Sequence, residues 1–191
     1  MNRKTGKVVW LYGRPCSGKS TLSASIAEAL RTDGISVITL DGDELRSGMN
    51  SDLGYSLVDR YENIRRASEM ARMMAGKGFW VVCSFVTPTR ELRELVRIIN
   101  NELELCIIFI HASLEVCKKR DVKGHYLKAE TRQLTNFTGI SSPFEDPLSF
   151  DNTIYTNELN VQDATRECLK LILDSKYKPS TKSIFTQFNI L

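Results

Sequence analysis

The sequence predicts an α/β fold: a five-stranded parallel sheet with helices on both faces. Three observations lead there. Apolar runs of strand length alternate with segments of helical periodicity along most of the chain, as in repeated β-α-β units. The loop Gly13-Arg14-Pro15-Cys16-Ser17-Gly18-Lys19-Ser20 lies between the first apolar run and the first helical segment and fits G-x-x-x-x-G-K-[ST]. Asp41 and Asp43 close the second apolar run, at the strand ends where ligands of open parallel sheets gather. Strand, glycine-bearing turn and helix together specify a P-loop NTPase fold.

The elements follow in order. Residues 8–12 (Val-Val-Trp-Leu-Tyr) read as a buried first strand. After the loop, Leu22, Ile26, Ala29 and Leu30 mark a helix that ends near Asp33-Gly34, with Gly34 suited to a C-cap. Residues 35–40 alternate as a second strand. Residues 44–55, with Gly48, Asn50 and Gly54, suggest a short helix and a loop. Residues 57–76 form a helix with Ile64, Ala67, Met70, Ala71 and Met74 inward. Residues 79–85 are nearly all apolar, a strand covered on both faces. A charged helix over 89–100, a strand over 105–110 and a short helix over 114–120 come next. The polar stretch 123–147 is a candidate mobile lid, because long functional loops close over ligands; a plain surface excursion is the alternative. Residues 152–156 give a short fifth strand and 161–173 the closing helix. Residues 176–191 form a tail with apolar Ile184, Phe185, Phe188, Ile190 and Leu191, which either packs on the body or meets another subunit.

Composition narrows the function. At 191 residues, 42% hydrophobic and 26% charged, the chain suits one compact domain. The net charge of +3 is too mild to argue for nucleic acid, and no basic run or matching motif adds to it. The five cysteines form no C-x-x-C pair, so neither zinc nor a disulfide framework is indicated; buried free thiols in a reducing cytoplasm are expected. Cys16 stands apart inside the loop, as a reactive thiol or as a small filler. No signal peptide and no membrane-spanning run of about 18 apolar residues is visible.

The loop's residue types match phosphate chemistry. Gly13 and Gly18 allow backbone approach that a side chain would block. Amides from about Cys16 to Thr21, including Ser17, can face phosphate oxygens at a helix N-terminus. Lys19 reaches the β- and γ-phosphates, and Ser20 offers a hydroxyl to Mg²⁺. Phosphoryl transfer also needs an acceptor held in line. One carboxylate of the Asp41/Asp43 pair can orient the acceptor hydroxyl, and the other, Asp41, can hold Mg²⁺ through water. The structural alternative is that Asp43 only caps the helix beginning at Glu44. Arg46, Arg60, Arg65 and Arg66 follow within a short span and offer planar forks for phosphate or sulfate, although most basic helix residues are solvated surface. Arg120 could neutralise charge on the transferred group. Tyr55 and Phe137 sit in loops that could flank an acceptor base, by stacking or by ordinary packing.

With these residues in hand, the chain resembles the adenylylsulfate kinase family. Residues 40–46 match its L-D-G-D-x-x-R, residues 50–56 its N-R-D-L-G-F-S, and residues 59–66 its D-R-x-E-N-I-R-R. Residues 114–126 follow its L-E-V-C-x-x-R-D-x-K-G-L-Y, and residues 136–145 its F-T-G-I-D-S-P-Y-E. The resemblance runs from about Val8 to Leu173. It implies a kinase domain over 1–175 that uses Mg²⁺ and ATP to phosphorylate adenosine 5′-phosphosulfate on its 3′-hydroxyl, in the cytoplasm, with a homodimer as one possible state. Asp43, Lys19 and Arg120 would be the catalytic set. Asp43 matches the family's acidic residue near the acceptor hydroxyl. Arg46, Arg60 and Asn63 match binders of the acceptor's phosphosulfate and ribose, Tyr55 and Phe137 the aromatics around its adenine, and Lys128 a lid lysine.

The departures lie mainly toward the acceptor. The family's G-L-S-G-S-G-K-S has Arg14-Pro15-Cys16 in place of L-S-G, its N-R-D has Ser51, and its F-I-S-P-Y-R has become Phe85-Val86-Thr87-Pro88-Thr89-Arg90. Val86 and Thr87 are therefore candidate acceptor contacts in an altered setting. Two other readings share the fold: a kinase of another nucleotide, such as cytidine diphosphoramidate, and a nucleotide-binding regulatory domain without activity. Retained Lys19, Ser20, Asp43 and Arg120 argue against the second.

Overall fold

The structure, a computed structural model, describes residues 6–134, 136–147 and 152–174; the tail over 176–191 lies outside them. Strands β1 (Lys7–Tyr12), β2 (Val37–Asp41), β3 (Trp80–Phe85), β4 (Glu104–His111) and β5 (Asn152–Tyr155) form one parallel sheet in the order β2-β3-β1-β4-β5. The helices are α1 (Lys19–Thr32), α2 (Gly42–Ser47), α3 (Leu57–Ala75), α4 (Arg90–Ile99), α5 (Leu114–Lys119), α6 (His125–Glu130) and α7 (Val161–Leu173).

β1 explains why its sequence is a continuous apolar run. Val8, Trp10 and Tyr12 face one layer, where Ile64, Ala67 and Ala71 of α3 and Leu92 and Val96 of α4 pack. Val9 and Leu11 face the other, against Leu22, Ile26 and Leu30 of α1 and Ala164, Cys168 and Ile172 of α7. A central parallel strand has no solvent side, so period-two alternation disappears. Tyr12 pairs with Phe85 on one side and Phe109 on the other. Gly13 thus leaves the sheet between two strand ends, where the chain's path divides toward β2 and toward β5. That crevice is the expected ligand position of an open α/β sheet.

Element boundaries shift for local reasons. The second strand starts at Val37, not at Ile35, because Ile35 is used to end α1. Its N–H donates to Leu30 O at 3.0 Å and that of Gly34 to Arg31 O at 2.9 Å, with Gly34 at φ 78°; this is a Schellman turn. Phe79 likewise closes α3, donating to Met74 O at 3.3 Å, and β3 begins one residue later. The stretch 123–147 contains helix α6 and is tied to the body near both ends. Tyr126 Oη donates to Pro15 O at 3.0 Å, and Glu145 N donates to Pro88 O at 2.9 Å. All five cysteines are free thiols, and no helix among the described residues is long and apolar enough to cross a membrane.

Candidate active site

The P-loop is shaped by what cannot fit in it. A Cβ on Gly13 would lie 2.3 Å from Ile110 O and 2.8 Å from Ser17 Oγ, so only glycine lets β1 pass so close to β4. Gly18, at φ 99°, is the N-cap of α1. Cys16, which stands where the family pattern has glycine, takes φ 61°, a left-handed conformation costing about 1–2 kcal/mol for a residue with a Cβ. Burial and the nearby Asp121 carboxylate push its thiol pKa up, which opposes the reactive-thiol alternative. Lys19 Nζ donates to Arg14 O at 2.7 Å. Desolvation lowers the Lys19 ammonium pKa to about 8, against the opposing pull of Asp41 and Asp43.

Thr156, just past β5, braces the loop from behind. Its hydroxyl donates to Ser17 O at 2.8 Å, while Arg120 donates to the Thr156 hydroxyl at 3.1 Å and to its carbonyl at 2.7 Å. The Arg120 fork is thereby held beside the first turn of α1.

Opposite the loop, Ser20 Oγ donates to Asp41 Oδ2 at 2.7 Å and lies 3.3 Å from Ser84 Oγ. Asp41 Oδ1 accepts from Asp43 N at 2.9 Å. The cap of α2 is therefore Asp41, not Asp43: the helix begins two residues earlier than Glu44, and the carboxylate of Asp43 is left free of capping duty. It points outward, 76% exposed, and pairs with Lys123 Nζ at 2.7 Å. The described residues contain no group of three or more acidic, His or Cys ligands. The hydroxyl and carboxylate oxygens of Ser20 and Asp41 nonetheless form the sparse, hard donor set with which Mg²⁺ is held when phosphates and waters complete its shell.

A cavity of about 480 Å³ joins these groups to the second half of the site. Cys16, Lys19, Ser20, Asp43 and Arg120 line one part, and Tyr55, Arg60, Val86 and Phe137 another. Tyr55 is 54% exposed and lies across two guanidinium groups, with Arg46 at 4.7 Å and Arg60 at 5.8 Å from its ring centroid. Arg60 Nε donates to Tyr55 O at 3.1 Å, and its terminal nitrogen donates to Asn136 O beside Phe137. Phe137 meets Tyr126 edge-on at 4.9 Å.

Other sequence-predicted residues do not line the cavity. Gly13, Ser17, Gly18 and Thr21 shape the loop without lining it. Arg46 donates to Leu53 O and Gly54 O. Asn63, 4% exposed, accepts from Asn50 Nδ2 at 2.9 Å. Thr87, 1% exposed, is turned away: its hydroxyl accepts from Trp10 Nε1 at 2.9 Å. Lys128, on α6, does not line the cavity either. Conversely, Lys123, Ser84 and Asp121 were missed. Asp121 accepts from the His125 and Tyr126 amides at 3.0 and 2.7 Å. Asp121 and Lys123 stood in the quoted R-D-x-K-G run, which was the available signal; nothing in the sequence singled out Ser84 or Thr156.

A parallel sheet, a P-loop at its switch point and an outward carboxylate across a shared cavity define a P-loop kinase, a phosphotransferase with an alcohol acceptor. Residues 5–155 match the family model described as adenylylsulphate kinase. The adenylyl-sulfate kinase of Geotalea uraniireducens is 41% identical over 165 residues, which cover 86% of this chain and 79% of that one. The bifunctional enzyme NodQ of Rhizobium tropici is 46% identical over 140 residues, 73% of this chain but 22% of NodQ. The solved structure of the Mycobacterium tuberculosis APS kinase CysC, in complex with AMPPNP and APS, superposes with a TM-score of 0.85 at 36% identity, covering 88% of this chain and 98% of that one. The chain belongs to the adenylylsulfate kinase family.

Proposed function

We propose that the chain transfers the γ-phosphoryl group of ATP to the 3′-hydroxyl of adenosine 5′-phosphosulfate. One observation carries the assignment: a single cavity is lined by Lys19 and Asp43 on one part and by Tyr55, Arg60 and Phe137 on the other. That is room for a polyphosphate next to an anionic nucleotide.

In this reading the loop amides and Lys19 hold the β- and γ-phosphates, and Arg120 offsets charge that develops on the moving group. Asp43 exchanges its bond to Lys123 for one to the acceptor hydroxyl, orients it and takes its proton as the new O–P bond forms. Arg60, with Arg46 and Asn63 behind it, faces the phosphosulfate and ribose. Tyr55 and Phe137 take the adenine between them, with Val86 on the same cavity wall, Thr87 behind it and Lys128 closing from the lid. Mg²⁺, held by Ser20 and by Asp41 through water, would neutralise phosphate charge when bound. The unit is one kinase domain over 1–175 in the cytoplasm, with light scattering to establish whether it pairs as a homodimer.

The test is ADP release with Mg·ATP, comparing adenosine 5′-phosphosulfate, cytidine diphosphoramidate and plain nucleotides. Selective turnover of the first is expected. Turnover of another nucleotide alone would assign the altered positions Ser51, Val86, Thr87 and Thr89 to a different acceptor.

A further inference from the structure

Arg14 occupies a place where the family pattern has leucine. Its side chain does not enter the cavity. The guanidinium lies over the ring of Phe144, 4.8 Å from the centroid, at the far end of the segment 123–147. Phe144 in turn stacks on Phe109 at 5.9 Å and 26°, and Phe109 on Tyr12 at 5.1 Å and 30°. Arg93 covers Tyr12 at 4.9 Å. Three rings thus run from the sheet to the lid with a cation at each end. Arg93 also donates to Glu145 O at 3.2 Å and to Asp146 O at 3.3 Å, one and two residues past Phe144.

The backbone of Arg14 belongs to the loop that carries Lys19. Its carbonyl is the acceptor for Lys19 Nζ and for the Ser17 amide at 3.2 Å. Gly139 makes room for the guanidinium: a Cβ there would lie 3.0 Å from Arg14 Nη1. One residue therefore touches the lid through its side chain and the phosphate-binding lysine through its backbone.

We infer that Arg14 is a positioning residue that clamps the lid segment 137–146 onto the P-loop, through the face of Phe144, and so sets the lid in register with the nucleotide. The inference rests on the kinase reading for the meaning of closure, but not for the contact itself. A cation over a ring at a half-buried site is worth a several-fold change in an equilibrium.

The experiment uses the full chain with Mg·AMPPNP and limited trypsin, following cleavage after Lys128 and Arg132. R14L and F144L should each speed nicking about fivefold, the double variant should be no faster than either single one, and R14K should recover most of the protection. In turnover assays R14L should raise the KM for ATP about fivefold with kcat little changed. Nicking in R14L equal to wild type, or effects of R14L and F144L that multiply, would overturn the clamp. Trypsin protection needs no acceptor, so a wild-type chain inactive on adenosine 5′-phosphosulfate would defeat the proposed function without altering this test.

Discussion

At the scale of single residues, the proposed reaction separates groups that touch the reacting atoms from groups that hold them still. In that proposal Asp43 is of the first kind: exposed, freed from capping by Asp41, and within 2.7 Å of one cation. Asp43→Asn should lower kcat by about 10²- to 10⁴-fold, the usual size of a lost acid–base group, and leave ATP affinity within about twofold by calorimetry. Unchanged turnover would remove Asp43 from the mechanism. The positioning kind was hardly visible in sequence. Lys19 and Ser20 belong to a contiguous motif whose spacing is fixed by the loop itself. Thr156 braces the same loop from 139 residues away in sequence, and a lone threonine after a short strand has no local pattern to betray it. Arg93, 2% exposed, lies on a helix that reads only as charged and amphipathic, because its carbonyl partners Glu145 and Asp146 come from a distant loop, and Thr87 and Pro88 from the turn before the helix.

At the scale of elements, the proposed acceptor side rests on the first turn of α3. Ser56 and Asp59 form a reciprocal capping box, and Arg60 follows directly. Ser56→Ala should cost about 1 kcal/mol in stability and raise the KM for the acceptor more than that for ATP. Further along the helix, Glu62 takes Arg65 at 2.7 Å and Arg66 at 2.8 Å, and Arg66 reaches Asp52 at 2.8 Å, fixing the loop before the helix. Those bonds hold the Glu62 carboxyl at about 2, below its ordinary 4.5. Because the folded value is the lower one, this stability is present above about 4.5 and lost as the pH falls toward 2. Solvent reduces it to below about 1 kcal/mol. The difference in melting temperature between wild type and Glu62→Gln should therefore be largest near neutrality and shrink below pH ~4. Elements with strong periodicity, such as α3 and α7, were legible nearly to the residue. Two of the ends that moved, at Ile35 and Phe79, are places where an apolar residue closes a helix instead of opening a strand.

At the scale of the whole molecule, two cores lie on the two faces of one sheet, and β1, β3 and β4 each supply side chains to both. β1 separates the α3/α4 layer from the α1/α7 layer. Amide exchange should therefore be slowest from Val8 to Leu11 and rise sharply within the lid, as followed by mass spectrometry. Exchange in β1 as fast as in β5 would contradict that hierarchy. The α/β order and the sheet's parallel sense were readable from alternation and handedness rules, and the motif runs named most of the cavity's walls. The ring stack through Tyr12, Phe109 and Phe144 was not, since each ring lies in a separate apolar or polar run and only the folded path aligns them.

That central strand has a consequence for biosynthesis. Val8–Tyr12 leaves the ribosome well before its neighbours on either edge, 81–85 and 105–109. At about 5–20 residues per second, this apolar five-residue run waits several seconds for its first partner and longer for its second. During that interval it is an unpaired, uncharged strand template of the kind that adds to other chains. The nascent protein should depend on a holding chaperone until β4 has emerged, and the yield of folded chain should fall when translation is slowed between codons 12 and 105.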